Sequence, residues 1–199
     1  MMITFSLQTF LKICILDTGS RISELQKRLE GNGGYDFHKS FQQAVRLHAN
    51  GGAPDQVNAL LSSPSNDVER RYNTASYQKF GTKYGNKRSL EAIDTAKFLT
   101  FRDAGLKIKV DPLFSLEVAG TREIYCTWQT QKPPMSQRYG AVACHVMREA
   151  FRSSGLANGQ CRFVDFVGDK VYSEKQITNN TSLILNEDAR SIGNLLKEL

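Results

Sequence analysis

The sequence predicts an α+β fold with an αβββαβ core: a mixed four-stranded sheet flanked by helices and preceded by an N-terminal helical region. Apolar residues recur at helical spacing, between glycine breaks, through the first third of the 199 residues. Three short runs with apolar side chains at alternate positions follow, and an amphipathic segment separates them from a fourth run. The composition, 40% apolar and 23% charged, excludes a wholly disordered, collagenous or disulfide-dense chain.

Three parts of the chain differ in character. The helical region contains three short amphipathic segments, over 22–29, 37–48 and from Pro54, each bounded by glycine or opened by proline. The predicted parts are an uncertain N-terminal segment (1–20), the helical region (21–88), and an α/β core that ends in a helix (89–199).

The segment 70–88 is strongly basic and rich in aromatic residues. It holds six bases and no acid, and outside it acids and bases are equal in number, so it carries the whole net charge of +6. Lys and Arg neutralise phosphates and tyrosines stack on bases, which makes the segment a candidate nucleic-acid contact. Its alternative role is a solvated helix and loop whose aromatic rings pack on the core. The candidate binding residues are Arg70, Arg71, Tyr77, Lys79, Lys83, Tyr84, Lys87 and Arg88.

The core is predicted element by element. A helix capped by Ser89 runs to Phe101, three strands form an antiparallel meander, and a helix capped by Ser136 crosses over to a fourth strand. A final helix begins after a cap at Asn186, where two acids favour the positive end of the helix dipole. The predicted strands are 106–110, 114–118, 123–129 and 161–167.

This order of elements resembles the core of the restriction-endonuclease-like (PD-(D/E)xK) superfamily, over about half of the chain. The resemblance implies a nuclease-type scaffold, in which acids on strands two and three hold Mg²⁺ and a lysine faces the scissile phosphate. Here the third strand reads Cys126-Thr127-Trp128 where the acid, spacer and lysine of the family motif fall. The nearest acids are Glu91, Asp111, Glu117 and Glu123. The first three are the candidate catalytic residues, and cleavage would need a site that has migrated to them.

Other chemistries find little support. Asp17-Thr18-Gly19-Ser20 copies the aspartic-protease tetrapeptide, but helical periodicity follows at once, so Ser20 is better explained as a helix cap. No two Cys or His stand at zinc-ligand spacing, and the four cysteines are isolated, which predicts free thiols in the cytoplasm. Residues 1–20 lack the unbroken apolar run of a membrane span. We therefore expect neither a metal nor another cofactor, except Mg²⁺ if the chain is a nuclease.

Three functions remain open. The first is a non-catalytic binding protein with a nuclease-like core that contacts DNA or RNA through the segment 70–88. The second is a divalent-metal nuclease that uses the three acids named above. The third is a protein-interaction or assembly module, possible as a homodimer, in which Tyr125 and Trp128 face a partner; the simpler interpretation of Trp128 is a core residue.

Overall fold

The computed structural model describes residues 2–31 and 36–199, and it confirms the α+β class. A π-helical turn, Gly81–Gly85, extends the fifth helix, and a 3₁₀ turn, Glu174–Gln176, precedes the last one. The helices are α1 (Leu7–Ile15), α2 (Thr18–Leu29), α3 (Lys39–Ala49), α4 (Pro54–Ser62), α5 (Asp67–Phe80), α6 (Gln137–Phe151) and α7 (Thr181–Glu198). The strands are β1 (Ile3–Ser6), β2 (Glu91–Ala92), β3 (Lys97–Phe101), β4 (Leu106–Val110), β5 (Phe114–Val118), β6 (Thr121–Trp128), β7 (Gln160–Asp165) and β8 (Lys170–Ser173).

The strands form two sheets, so the predicted single four-stranded sheet is wrong in its extent. One sheet has the order β1-β4-β3 and the other the order β2-β5-β6-β7-β8. The pairs β1–β4 and β6–β7 are parallel, and the other neighbours are antiparallel. Helix α6 makes the crossover between β6 and β7, as predicted, because parallel neighbours need such a connection.

The predicted hairpin between β4 and β5 does not form. The guanidinium of Arg46, on α3, donates to the Asp111 carboxylate at 2.6 Å and to the Pro112 carbonyl at 3.1 Å. Pro112 also has no N–H to give to a strand ladder. The two strands therefore separate at this point, and each pairs in a different sheet.

The helix predicted over 89–101 is also wrong. The Ser89 hydroxyl bonds both the N–H and the carbonyl of Glu117, which fixes this stretch against β5. Farther on, β3 pairs antiparallel with β4, from Lys97 opposite Val110 to Phe101 opposite Leu106. The run Phe-Leu-Thr-Phe is rich in residues that favour strands. Its pairing with β4 stabilises a strand more than the spacing of its apolar residues stabilises a helix.

Two hydrophobic clusters cover the faces of the five-stranded sheet. On one face, α6 packs over Ile124, Trp128 and Phe163, within a cluster that also includes α1 and α7 side chains. On the other face, Phe41 of α3 and Phe80 of α5 join a cluster with side chains of β5, β6 and β7. In the described part of the chain, no helix has the length and apolar composition needed to cross a bilayer.

The N-terminal segment and the last helix also differ from the sequence-based prediction. The segment 1–20 contains β1, which pairs with β4, and α1, whose buried residues belong to the larger cluster. Asp17, rather than Ser20, caps α2, because its Oδ1 accepts the Ser20 N–H at 3.0 Å. Helix α7 begins at Thr181 rather than after Asn186, since Leu185 is buried on the same stripe as Ile192.

The close packing of α6 on β8 predicts that a larger side chain at Gly140 destabilises the fold. A Cβ on Gly140 would lie 2.2 Å from the ring of Tyr172. That ring is buried, and its hydroxyl donates to the Met135 carbonyl at 3.3 Å, so it has little room to move. We expect Gly140→Ala to lower the free energy of unfolding by about 2 kcal/mol in urea titration. Gly155→Ala is the control, because its Cβ meets nothing within 4 Å; equal effects would contradict this packing.

Candidate functional site

A cleft of about 410 Å³ opens where β1 and β4 end beside α1. The two strands are parallel, so their carboxyl ends reach the same edge of the sheet, with Ser6 opposite Lys109. The chain passes from β1 directly into α1, and Ser6 begins the helix by accepting the N–H of Thr9. The walls also include the end of β6, the residues before α3, the residues after β4, and single side chains of α2, α3 and β7.

Cations outnumber acids among the described residues that line the cleft. Glu24, on α2, accepts hydrogen bonds from Lys12 Nζ at 3.0 Å and Arg28 Nη2 at 2.9 Å. Although desolvation opposes the shift, these bonds lower the pKa of Glu24, which stays ionised and holds both cations in place. The charged residues of the lining are Lys12, Arg28, Asp36, Lys109 and Asp111.

Asp111 is held by two cations. Its Oδ1 lies 2.6 Å from Arg46 Nη2 and its Oδ2 lies 3.4 Å from Lys109 Nζ. Arg46 also lies 3.6 Å from the Asp94 carboxylate. The charge of Asp111 is therefore balanced by Arg46 and Lys109, as Glu24 balances part of the charge of Lys12 and Arg28. The lining itself holds three cations and two acids.

Two amide side chains join the end of β6 to α1. Gln8 Nε2 donates to Gln129 Oε1 at 3.0 Å, and Gln129 Nε2 donates to Thr127 Oγ1 at 2.6 Å. Both Thr127 and Gln129 are buried. Because Gln129 is bonded through both its amide oxygen and its amide nitrogen, it ties this wall of the cleft to α1.

His38 enters the cleft from the residues before α3, and the buried Asn73 of α5 lies behind it. His38 Nδ1 is 3.4 Å from Asn73 Oδ1. Burial lowers the pKa of His38, so its imidazole is neutral at pH 7. Cys126 also lines the cleft, but burial raises the pKa of its thiol, so it supplies no reactive thiolate there.

The three candidate catalytic acids do not meet. Glu91 is not on a helix as predicted; it lies on β2, where it pairs with Arg122 at 3.4 Å. Glu117 stands opposite Arg122 in the β5–β6 register, near the start of β6, whereas Asp111 lines the cleft near the other end of that strand. Within 2–31 and 36–199, no group of three His, Cys, Asp or Glu side chains can hold a metal ion.

Half of the bases in the segment 70–88 are bound by the chain itself. Arg70 pairs with Asp67 and donates to the Pro64 carbonyl. Lys79 donates to the Phe166 carbonyl and Lys83 pairs with Asp169, which ties α5 to the β7–β8 turn. Arg71, Lys87 and Arg88 are exposed.

The aromatic residues of this segment serve mainly the core. The ring of Tyr84 is buried among Phe80, Phe114 and Tyr125, which argues against the prediction that it stacks on a base. Desolvation, with the nearby Glu123 charge, raises the pKa of Tyr84 to about 12. Tyr77 bonds His48 at 2.6 Å through its hydroxyl.

Tyr72 is the aromatic residue of the segment that reaches the rim of the cleft. Its ring packs edge-on against Phe37, with centroids 6.2 Å apart, and its hydroxyl donates to Gln131. Phe37 lines the cleft, as does Thr130, the neighbour of Gln131. Both rings are partly exposed, so the rim presents aromatic surface beside the cations.

The surface proposed for a protein partner is not available either. Trp128 is fully buried and Tyr125 is 4% exposed, so neither residue faces outward. The apolar alternation of β6 places Trp128 under α6 and Tyr125 under α5, as core residues. A homodimer remains a prediction that needs a different surface.

Sequence reasoning missed the cleft because its walls come from distant segments. The residues that line it range from Thr4 to Phe163, and single charged residues such as Lys12 and Arg28 have no pattern that marks them. Only the order of the strands could have indicated it, through the parallel ends of β1 and β4. Comparison with known protein families and with curated proteins finds no match to this chain.

Proposed function

We propose that the chain is a nucleic-acid-binding protein with a nuclease-like core, and that the phosphate backbone lies in the cleft between β1, β4 and β6. The observation that carries this proposal is that Lys12, Arg28 and Lys109 line one cleft. Glu24 pairs with the first two and Asp111 with the third, so a bound phosphate would share these cations with carboxylates of the chain. Backbone phosphates bind where Lys and Arg side chains converge. The partly exposed rings of Phe37 and Tyr72 add a surface on which unpaired bases can stack.

The order of elements in the five-stranded sheet supports the nuclease-like core. Helix α5 precedes the antiparallel neighbours β2, β5 and β6, and α6 then crosses over to β7, parallel to β6. This is again a helix, three strands, a crossover helix and a strand, with β3 and β4 inserted after β2. The sequence predicts the element order of the superfamily over 89–167. The same order can also be assigned to a set of elements that begins with α5.

Within the segment 70–88, the nucleic-acid contact then lies at the first residues of the segment. Arg71 is exposed and adjoins Tyr72 at the rim, whereas Lys79 and Lys83 are bound to the β7–β8 region. The four cysteines are buried free thiols, which supports a reducing compartment such as the cytoplasm.

Fluorescence anisotropy with labelled single-stranded DNA and RNA, in EDTA, tests the proposal. If the three cleft cations each neutralise one phosphate, log K should fall with log salt at a slope of about −2 for a single strand. Lys109→Gln, which removes one of these contacts, should weaken binding at low salt and reduce that slope by about 0.7. Arg71→Gln should act in the same direction.

Lys175→Gln is the matched control, because Lys175 is exposed on the 3₁₀ turn and does not line the cleft. An equal loss in Lys175→Gln and Lys109→Gln would place binding elsewhere on a generally basic surface. Absence of binding at low salt would refute the proposal. Repeating the titration in Mg²⁺ tests the nuclease alternative, since loss of the intact probe in wild type and in Glu91→Ala alike would exclude Glu91 from any cleavage.

A further inference from the structure

The neutral imidazole of His38 is oriented by a buried amide. Asn73 is fully buried, and its Nδ2 donates to the Phe37 carbonyl and to Ser40 Oγ, each at 2.8 Å. A carbonyl oxygen accepts only, so the amide nitrogen must face Phe37 and Oδ1 must face His38. The proton of the neutral ring is then on Nδ1, where it is donated to Asn73 Oδ1 at 3.4 Å.

This tautomer places the ring's acceptor on the side away from Asn73. Nε2 of His38 carries the lone pair, and no hydrogen-bond donor reaches it among residues 2–31 and 36–199. The charged groups near the ring are Asp36 beside it and Glu69 on α5, with the cleft lining of Lys12, Arg28, Lys109 and Asp111. The ring therefore adds a neutral hydrogen-bond acceptor to a cleft lined by three cations, two carboxylates and several hydroxyl and amide groups.

An acceptor in this position requires a donor from the ligand. Phosphate oxygens at neutral pH accept hydrogen bonds, and the deoxyribose of DNA has no hydroxyl at the 2′ position to donate. The N–H groups of the bases donate in DNA and RNA alike, so a bond to them would give no preference between the two. The ribose 2′-hydroxyl does donate, and it is the group by which proteins distinguish RNA from DNA. We propose that Nε2 of His38 accepts a hydrogen bond from a ribose 2′-hydroxyl, so that the cleft selects single-stranded RNA over DNA; this rests on the proposed function.

Three oligonucleotides of one sequence test the selection: RNA, DNA and 2′-O-methyl RNA, compared by anisotropy in EDTA at pH 7.5. One added hydrogen bond should make wild type bind RNA about five times more tightly than DNA. The 2′-O-methyl probe lacks the donor, so it should bind no better than DNA. In His38→Ala the three affinities should become equal, and His38→Gln, which keeps an acceptor, should restore part of the preference.

Nitrogen NMR of the free protein tests the tautomer independently of any ligand. The chain has three histidines, and the other two serve as internal references. His48 should show the opposite tautomer, because its Nε2 faces the Gly85 carbonyl at 3.0 Å and its Nδ1 faces the Tyr77 hydroxyl. A charged ring or an Nε2-protonated tautomer at His38 at pH 7.5 would overturn the assignment.

The pH dependence supplies a second readout. Because burial lowers the pKa of His38, protonation of Nε2 should occur below the ordinary histidine range, and the acceptor should then become a donor. The ratio of RNA affinity to DNA affinity should persist through the ordinary histidine range and fall toward one only below it, while the affinities for RNA and for DNA both rise. Equal affinity for RNA and DNA at pH 7.5 would overturn this inference alone, whereas no binding of either strand would refute the proposed function as well.

Discussion

Phe80→Ala should lower the free energy of unfolding by about 4 kcal/mol, although Phe80 lies in the most basic part of the sequence. Its side chain is fully buried at the end of α5 and contacts four other aromatic rings: His48, Tyr77, Tyr84 and Phe114. Truncation removes the burial of a whole ring and leaves a cavity that rigid aromatic neighbours cannot fill.

Chemical denaturation followed by circular dichroism measures this loss. Phe98→Ala makes the same substitution at a position that is 45% exposed, so it should cost less than about 1 kcal/mol. If Phe80→Ala does not fold, Phe80→Leu should still show a loss of about 1 kcal/mol. A Phe80→Ala variant as stable as Phe98→Ala would mean that the ring is exposed in solution, and would restore the segment 70–88 as a stacking surface.

Arg162→Met should cost about 3 kcal/mol, because it leaves a buried carboxylate without its cation. Arg162 on β7 pairs with Glu123 on β6, and their side chains are only 15% and 12% exposed. Tyr125 donates its hydroxyl to the same carboxylate, and desolvation and this bond raise the pKa of Tyr125, which keeps it a donor. One neutral hydrogen bond does not replace the lost charge.

Arg190→Met is the matched control, since Arg190 and Glu187 form an exposed pair on α7, each 67% exposed. Such surface pairs contribute roughly 0 to 1 kcal/mol, so the control should be nearly as stable as wild type. The double variant Arg162→Met with Glu123→Gln should recover most of the loss, because no buried charge remains. A double variant less stable than Arg162→Met would show that the carboxylate is needed for another reason.

The elements that the sequence predicted best have their signal within a few residues. Strands β4 and β5 alternate apolar and polar side chains, and α6 has a cap at Ser136 and a continuous apolar stripe. The sequence predicts one helix where the structure has the short β2 and the strand β3. The pattern misleads there because each strand gains its structure from a partner strand rather than from its own residues. The division of the strands between two sheets depends on Arg46, which lies 65 residues before Asp111.

The candidate site was less accessible to sequence reasoning than the fold. The sequence predicts the functional contact along one segment, 70–88, where charge is concentrated, whereas the cleft gathers residues from seven helices and strands and from the connections between them. His38 and Asn73, which are 35 residues apart, have no local pattern that joins them. Local charge density also does not report which cations the chain uses itself, as Lys79 and Lys83 show.

The pairing of β1 with β4 sets the order in which the cleft can be assembled during synthesis. Ile3 must wait for Leu106, its partner in the ladder, to leave the ribosome. At about 5 to 20 residues per second, the hundred residues between them take roughly 5 to 20 s to be made. Throughout that interval Phe5, Phe10 and Leu11 have no strand β4 to cover them. The apolar segment that forms this wall of the cleft is therefore synthesised early and buried late. Nascent chains of this kind are protected by chaperones, and they aggregate when synthesis outpaces folding.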